Sequence, residues 1–147
     1  MKILALDFAT QTGWATADMS GTQRFDVKRG ESPGMRFLRF RVWLEEMCEK
    51  LVHPEVIAYE QPHHRGGAAT ELAYGFLTEV KTRAATQHIE LMPVHSSTLK
   101  KWATGRGNAG KPEMIAEAKR RGFDPTDDNE ADACLLHEYA MAELGAK

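Results

Sequence analysis

The sequence predicts an α/β domain on a mixed five-stranded sheet, the first three strands antiparallel and the rest parallel, flanked by helices. Three observations carry this expectation. Three strand-like segments crowd into the first thirty residues, with connections so short that they must pair as an antiparallel meander. A long amphipathic segment then leads to Glu55-Val-Ile-Ala-Tyr-Glu60, apolar enough for a central strand parallel to the first. A strand, a helix and a returning parallel strand make a crossover unit, which is right-handed. Helical patterns and one more short strand fill the remainder.

Lys2 to Phe8 is the first strand, with Asp7 at its end. The second is expected over Thr12 to Asp18, opened by Gly13. Ser20-Gly21 reads as a turn and Thr22 to Arg29 as a third, alternating strand. After Ser32-Pro33-Gly34, a helix is expected from Met35 to Val52, with Phe37, Phe40, Leu44, Met47, Cys48 and Leu51 on its apolar stripe. His53-Pro54 ends it. Glu55 to Glu60 is the fourth strand. A polar loop, His63 to Gly67, precedes a helix from Ala68 to Ala85 that keeps Leu72, Phe76, Val80 and Ala84 in register. Ala68, Ala69, Ala73 and Gly75 give it a small-residue strip, suited to a dimer seam or to ordinary packing.

Ile89 to Val94 is the fifth strand. Ser96 or Ser97 caps a short helix through Trp102, and Thr104 to Gly110 is a glycine-rich loop. A helix from Pro112 to Arg121 follows, with proline in its first turn and Gly122 as its C-cap. Asp127 and Glu130 read as a capping box opening the last helix. The tryptophans Trp14, Trp43 and Trp102 are expected to pack as core. No repeat, low-complexity tract or linker interrupts the chain, so one domain over 1–147 is expected.

Cys48 and Cys134 are far apart and lack metal-ligand spacing, which points to buried thiols in a reducing cytoplasm. The opening residues carry no basic lead-in and no long apolar segment, so no signal peptide is expected. No apolar run suits a bilayer span, so no membrane partner is expected. The net charge of −2 is unevenly spread. Between His95 and Arg121, seven basic residues (Lys100, Lys101, Arg106, Lys111, Lys119, Arg120, Arg121) face only Glu113 and Glu117. A basic segment beside acidic positions suits an enzyme that grips phosphates and holds metal.

Four acids stand out. Asp7 and Glu60 end apolar strands, while Asp128 and Asp132 are four apart on one face of the last helix. That face continues into Leu135, Leu136 and Tyr139, so these acids face the sheet. Carboxylates there are costly to bury unless neutralised, and a divalent cation does this.

Asp7, Gly13 and Glu60, the segment Lys100-Lys-Trp-Ala-Thr-Gly-Arg-Gly-Asn-Ala-Gly-Lys111, and the terminal Asp128-x-x-x-Asp132-Ala133 together resemble a RuvC-type Holliday-junction resolvase, of the compact kind found in phages and prophages. The resemblance spans essentially the whole chain. It implies an RNase H-like three-layer fold. It also implies a homodimeric, magnesium-dependent endonuclease that cuts four-way DNA junctions by symmetric nicks, in the cytoplasm of a bacterium or phage-infected host. Manganese would substitute for magnesium, with two ions per site roughly 3.5–4 Å apart.

The family's metal carboxylates map onto Asp7, Glu60 and Asp132; Asp7 is expected to bridge the ions, because its strand-end position is the most rigid. Three residues before the final aspartate the family has an acid or histidine, and this chain has Asn129. Either the Asn129 carbonyl oxygen coordinates weakly or Asp128 takes over. Asp128 is favoured, because a full charge neutralises metal better than an amide. By resemblance, Lys111 contacts the scissile phosphate, and the catalytic set is Asp7, Glu60, Asp128, Asp132 and Lys111. Lys100, Lys101 and Arg106 would track phosphates, and His63, His64 and Arg65 would touch DNA near the branch point.

Three other functions compete. An RNA-processing nuclease resembling the YqgF group keeps the fold and changes the substrate. A junction-binding protein without activity is encouraged only by Asn129. An actin-like ATPase half-domain lacks the phosphate loops it would need.

Overall fold

The computed structural model describes residues 1–145. Its five strands form one sheet in the order β3-β2-β1-β4-β5. β1 (Ile3–Asp7), β2 (Gln11–Ala15) and β3 (Ser20–Arg24) pair antiparallel, and β4 (Val56–Glu60) and β5 (Glu90–Val94) continue the sheet in parallel. Helices α1 (Met35–Glu46) and α2 (Ala68–Gln87) cover one face, while α3 (Ser96–Thr104), α4 (Lys111–Arg120) and α5 (Asp128–Gly145) cover the other. The expected mixed sheet is borne out. Ala146 and Lys147, the end of the expected 1–147 domain, lie outside the described residues.

Strand alternation decides where the acids point. Ile3 and Ala5 of β1 join the core under α3, α4 and α5, while Leu4 and Leu6 join the core under α1 and α2. In β4, Val56 and Ala58 take the first side, Ile57 and Tyr59 the second. Continuing the two-residue period by one step turns both Asp7 and Glu60 toward α5. Leu6 lies opposite Tyr59 in the parallel register, so the two acids end adjacent strands side by side.

The α5-facing side of the sheet is made of small residues. Ala5, Ala15 and Ala58 meet Ala131, all with 2 % exposure or less. At Gly13 a β-carbon would overlap the backbone carbonyl of Asn129. The helix therefore lies close to the sheet at its N-terminal end, which brings Asp132 within reach of the strand ends. The other layer is aromatic: Phe40 and Phe76 stack at 4.1 Å, with Phe25 edge-on to both at 5.3 Å. Such pairs add about 0.5–1.5 kcal/mol each beyond their buried area. Gly75 makes room for the Phe37 ring, so this part of the small-residue strip serves packing within the chain. The three tryptophans are partly buried and pack at the edges of the two cores.

Several expected boundaries shift. Ser20 and Gly21 are the first pairs of β3, facing Ala15 and Trp14, and the turn lies earlier, closed by Thr16 N–H donating to the Met19 carbonyl at 2.7 Å. The Trp14 indole lies across Gly21, its atoms 3.1–3.2 Å from where a β-carbon would sit; a close packing contact had looked like a turn signal. β3 stops at Arg24 instead of Arg29, since Phe25 turns into the aromatic layer. The helix expected through Val52 does continue, but its last turn, Met47–Leu51, is π-helical, with Val52 N–H donating to the Met47 carbonyl at 2.8 Å. The residue capping α3 is His95, neither Ser96 nor Ser97. Phe123 and Gly122 N–H groups donate back to the Ala118 and Lys119 carbonyls, and Gly122 is left-handed at φ 98°, the Schellman ending that glycine favours.

Candidate active site

Asp7, Glu60 and Asp132 each offer a carboxylate oxygen, and these oxygens lie within 4.8 Å of one another. Two come from adjacent strand ends and the third from the second turn of α5. Asp7 is only 9 % exposed. Burial raises its carboxyl well above the usual carboxylate range, and the charges of Glu60 and Asp132 raise it further. Asp132 is pushed up to about 7, first by burial, then by Glu60 and Asp128, with Lys100 and Lys111 pulling the other way.

The Asp132 Oδ1 atom is buried and has no hydrogen-bond partner. Buried polar atoms are nearly always satisfied, and an unpartnered one calls for an explanation such as an ion. Three converging carboxylates with an orphaned oxygen, unstable when all are ionised, fit a hard divalent cation that prefers oxygen ligands.

Asp128 stands beside this group without joining its 4.8 Å set. Its Oδ2 lies 3.5 Å from the Lys111 ammonium, so the first residue of α4 reaches the site through an ion pair. Asn129 faces elsewhere. Its side-chain amide donates to the Gln11 carbonyl at 2.8 Å, fastening α5 to β2. The expected capping box is half present: Asp127 Oδ1 accepts from Glu130 N–H at 2.8 Å. The Glu130 carboxylate instead accepts from Thr126 N–H, the Thr126 hydroxyl and the Ser20 hydroxyl, at 2.9, 2.9 and 2.6 Å. Glu130 is thereby anchored against the rim of the sheet, and only 5 % exposed.

Asp7 and Glu60 line a cleft of about 310 Å³ with Phe8, His63, Arg65 and Ala73. Of the loop residues expected at DNA, His63 and Arg65 flank the acids. His64 turns aside, its Nε2 2.9 Å from the Tyr74 hydroxyl. The basic segment is less free than its composition suggested. Arg106 pairs with Glu113 at 3.3 Å, and Arg120 with Glu117. Arg121 is bound to Glu117 and Glu138 and lies over the Trp102 ring at 4.6 Å. Among the described residues, Lys100, Lys101 and Lys119 have no carboxylate within ion-pair distance. Sequence reading missed Gln11 and the Lys111–Asp128 pair; Gln11 carries no motif, and only the folded chain brings it to α5.

No family model matches the sequence, and no curated protein sequence matches it either. Solved structures do match. The chain superposes on Thermus thermophilus RuvC with a TM-score of 0.74 at 18 % identity, covering 99 % of this chain and 97 % of that one. For T. thermophilus RuvC in complex with Holliday junction substrate the TM-score is 0.73 at 20 % identity, over 99 % and 96 %. The yeast mitochondrial Holliday junction resolvase Ydc2 matches with a TM-score of 0.61 at 11 % identity, over 92 % and 75 %. The chain therefore has the RuvC fold, the RNase H-like arrangement its motifs resemble.

Proposed function

We propose that this protein is a structure-selective endonuclease that resolves four-way DNA junctions by metal-dependent phosphodiester hydrolysis. The observation that carries this reading is the convergence of Asp7, Glu60 and Asp132 on one point at the strand ends, in a fold that T. thermophilus RuvC uses with a Holliday junction substrate. Magnesium is the proposed ion, two per site, with manganese as a substitute. When bound, such ions neutralise the scissile phosphate and activate the attacking water. Asp7, Glu60 and Asp132 would hold them, and the unpartnered Asp132 Oδ1 is the oxygen most in need of one.

Asp128 is the proposed fourth acid. It already leans toward the site, where its charge raises both Asp7 and Asp132, whereas the Asn129 amide is engaged with Gln11. Asp128→Asn is expected to raise the magnesium concentration for half-maximal cleavage roughly tenfold. Asn129→Ala is expected to cost about 1 kcal/mol of stability through its lost hydrogen bond and little metal affinity. Magnesium titrations and urea melts of both variants separate the roles; the reverse order would assign the position to Asn129.

Lys111, 80 % exposed beside Asp128, is the proposed contact to the scissile phosphate. Lys100 and Lys101, free of carboxylate partners among the described residues, are the proposed phosphate-tracking pair, with His63 and Arg65 at the branch point. Arg106 would have to give up Glu113 to join them. Lys100→Ala with Lys101→Ala is expected to flatten the dependence of log affinity on log salt by about one unit per lysine. An unchanged slope would remove them from the interface.

A two-fold dimer is proposed because a junction offers two equivalent strands to cut; light scattering reads it, and a monomer at working concentration would exclude it. The proposed setting is the cytoplasm of a bacterium or phage-infected host. Among the described residues no helix is long and apolar enough to cross a membrane. The decisive assay incubates the protein with magnesium and either a synthetic four-way junction, a linear duplex or a structured RNA. Paired nicks in the junction alone are expected. Cleavage of the RNA instead would favour a YqgF-like activity, and binding without cleavage an inactive junction protein.

A further inference from the structure

α5 carries Asp128 and Asp132, and its first turn is tied to the edge of the sheet by hydrogen bonds, among which the Gln11 side chain connects β3 to the residue that caps the helix. Gln11, the first residue of β2, donates from Nε2 to Asp127 Oδ2 at 2.6 Å and accepts at Oε1 from the Arg24 guanidinium at 2.6 Å. Arg24 is itself held by Asp26 at 2.9 Å. The Gln11 backbone carbonyl takes the Asn129 amide, and the other Asp127 oxygen caps α5 at Glu130 N–H. Arg24 can only donate and Asp127, when ionised, can only accept, so the amide has one allowed orientation. The relay runs Asp26, Arg24, Gln11, Asp127, α5, and it ends one residue before Asp128.

We propose that Gln11 is a positioning residue for the metal site: it fixes the rotation of the first turn of α5, and with it the aim of Asp128 and Asp132. The inference rests on the metal-site reading above. Gln11 touches none of the three clustered carboxylates. Its effect passes through the helix, one step further out than groups bonded directly to metal ligands, whose loss commonly costs roughly 10–100-fold in affinity, so the lower end of that range is expected.

The relay can be inverted. Gln11→Glu sets an acceptor against the Asp127 acceptor, and Asp127→Asn can set a donor against the Gln11 donor while keeping a good helix cap. Together they exchange donor and acceptor, and the Arg24 contact is retained. Magnesium affinity of the metal-free proteins by calorimetric titration is expected to fall roughly tenfold in each single variant. In the double variant it is expected to return to within about twofold of wild type, since an additive pair would sit near a hundredfold. Gln11→Met, which removes both hydrogen bonds without adding charge, serves if a charged variant fails to fold.

Single variants that bind magnesium like wild type, or a double variant as weak as the additive sum, would overturn the clamp. Because the cycle reads metal binding, it is separable from the nuclease assay. Wild-type protein that binds magnesium but cuts no junction overturns the nuclease reading and leaves the clamp decided by the cycle. Wild-type protein that binds no magnesium overturns both.

Discussion

Asp132→Asn, Asp7→Asn and Glu60→Gln are each expected to lower magnesium-dependent junction cleavage by roughly a hundred- to a thousandfold, the range typical of lost electrostatic stabilisation at a reacting centre. Junction binding should survive or tighten. Each substitution removes one ionisable carboxylate from a cluster whose oxygens lie within 4.8 Å of one another, and leaves Lys100 and Lys101 untouched. The negative potential that an incoming phosphate meets becomes weaker, which favours association. Rates from single-turnover nicking and affinities from gel shift without magnesium measure the two effects separately. Wild-type-like nicking by any of the three variants would dismiss that residue as a metal ligand.

The same cluster should penalise the metal-free fold at neutral pH, and Asp132→Asn should relieve it. The sign follows from the direction of the shift. Asp132 is raised to about 7 in the folded chain, chiefly by burial and then by Glu60 and Asp128, and Asp7 is raised as well. At pH below the ordinary carboxylate range both folded and unfolded chains are protonated, and no penalty exists. As pH rises through that range the unfolded chain ionises first, so stability falls, and the loss is complete once pH passes about 7 for Asp132.

In EDTA at pH 8, Asp132→Asn is therefore expected to melt above wild type, by roughly 5 °C for a relief of about 2 kcal/mol in a domain of this size. At pH 4 the difference should nearly vanish. Magnesium should reverse the order at pH 8, because a ligand that binds only the folded chain stabilises wild type by mass action and the variant has lost an oxygen that holds it. A difference between variant and wild type that is equal at both pH values would refute the burden on Asp132.

Much of this site is legible from local pattern. The period of two along β1 and β4 makes Asp7 and Glu60 face the same side as Ala5 and Ala58, whatever packs there. The spacing of four puts Asp128 and Asp132 on one helical face. Short connections force the antiparallel meander, and an apolar fourth strand after a long helix implies the parallel crossover. These properties depend on neighbours a few residues away, so a sequence states them directly.

Other features depend on pairs that only the tertiary fold brings together. Glu138 neutralises Arg121 and Asp128 pairs with Lys111, both acids coming from the last helix, so a segment with five excess positive charges keeps fewer free cations than its composition implies. Asn129, a weak ligand by position, is claimed by the carbonyl of Gln11, 118 residues earlier. Gly21 looks like a turn residue until the Trp14 ring is laid across it, and Gly13 is small because the Asn129 carbonyl must touch the strand. Faces and spacings arise from backbone periodicity, which each segment carries in its own residues. Ion pairing and close backbone approach are set by distances between remote segments, and those exist only once the sheet and α5 have packed.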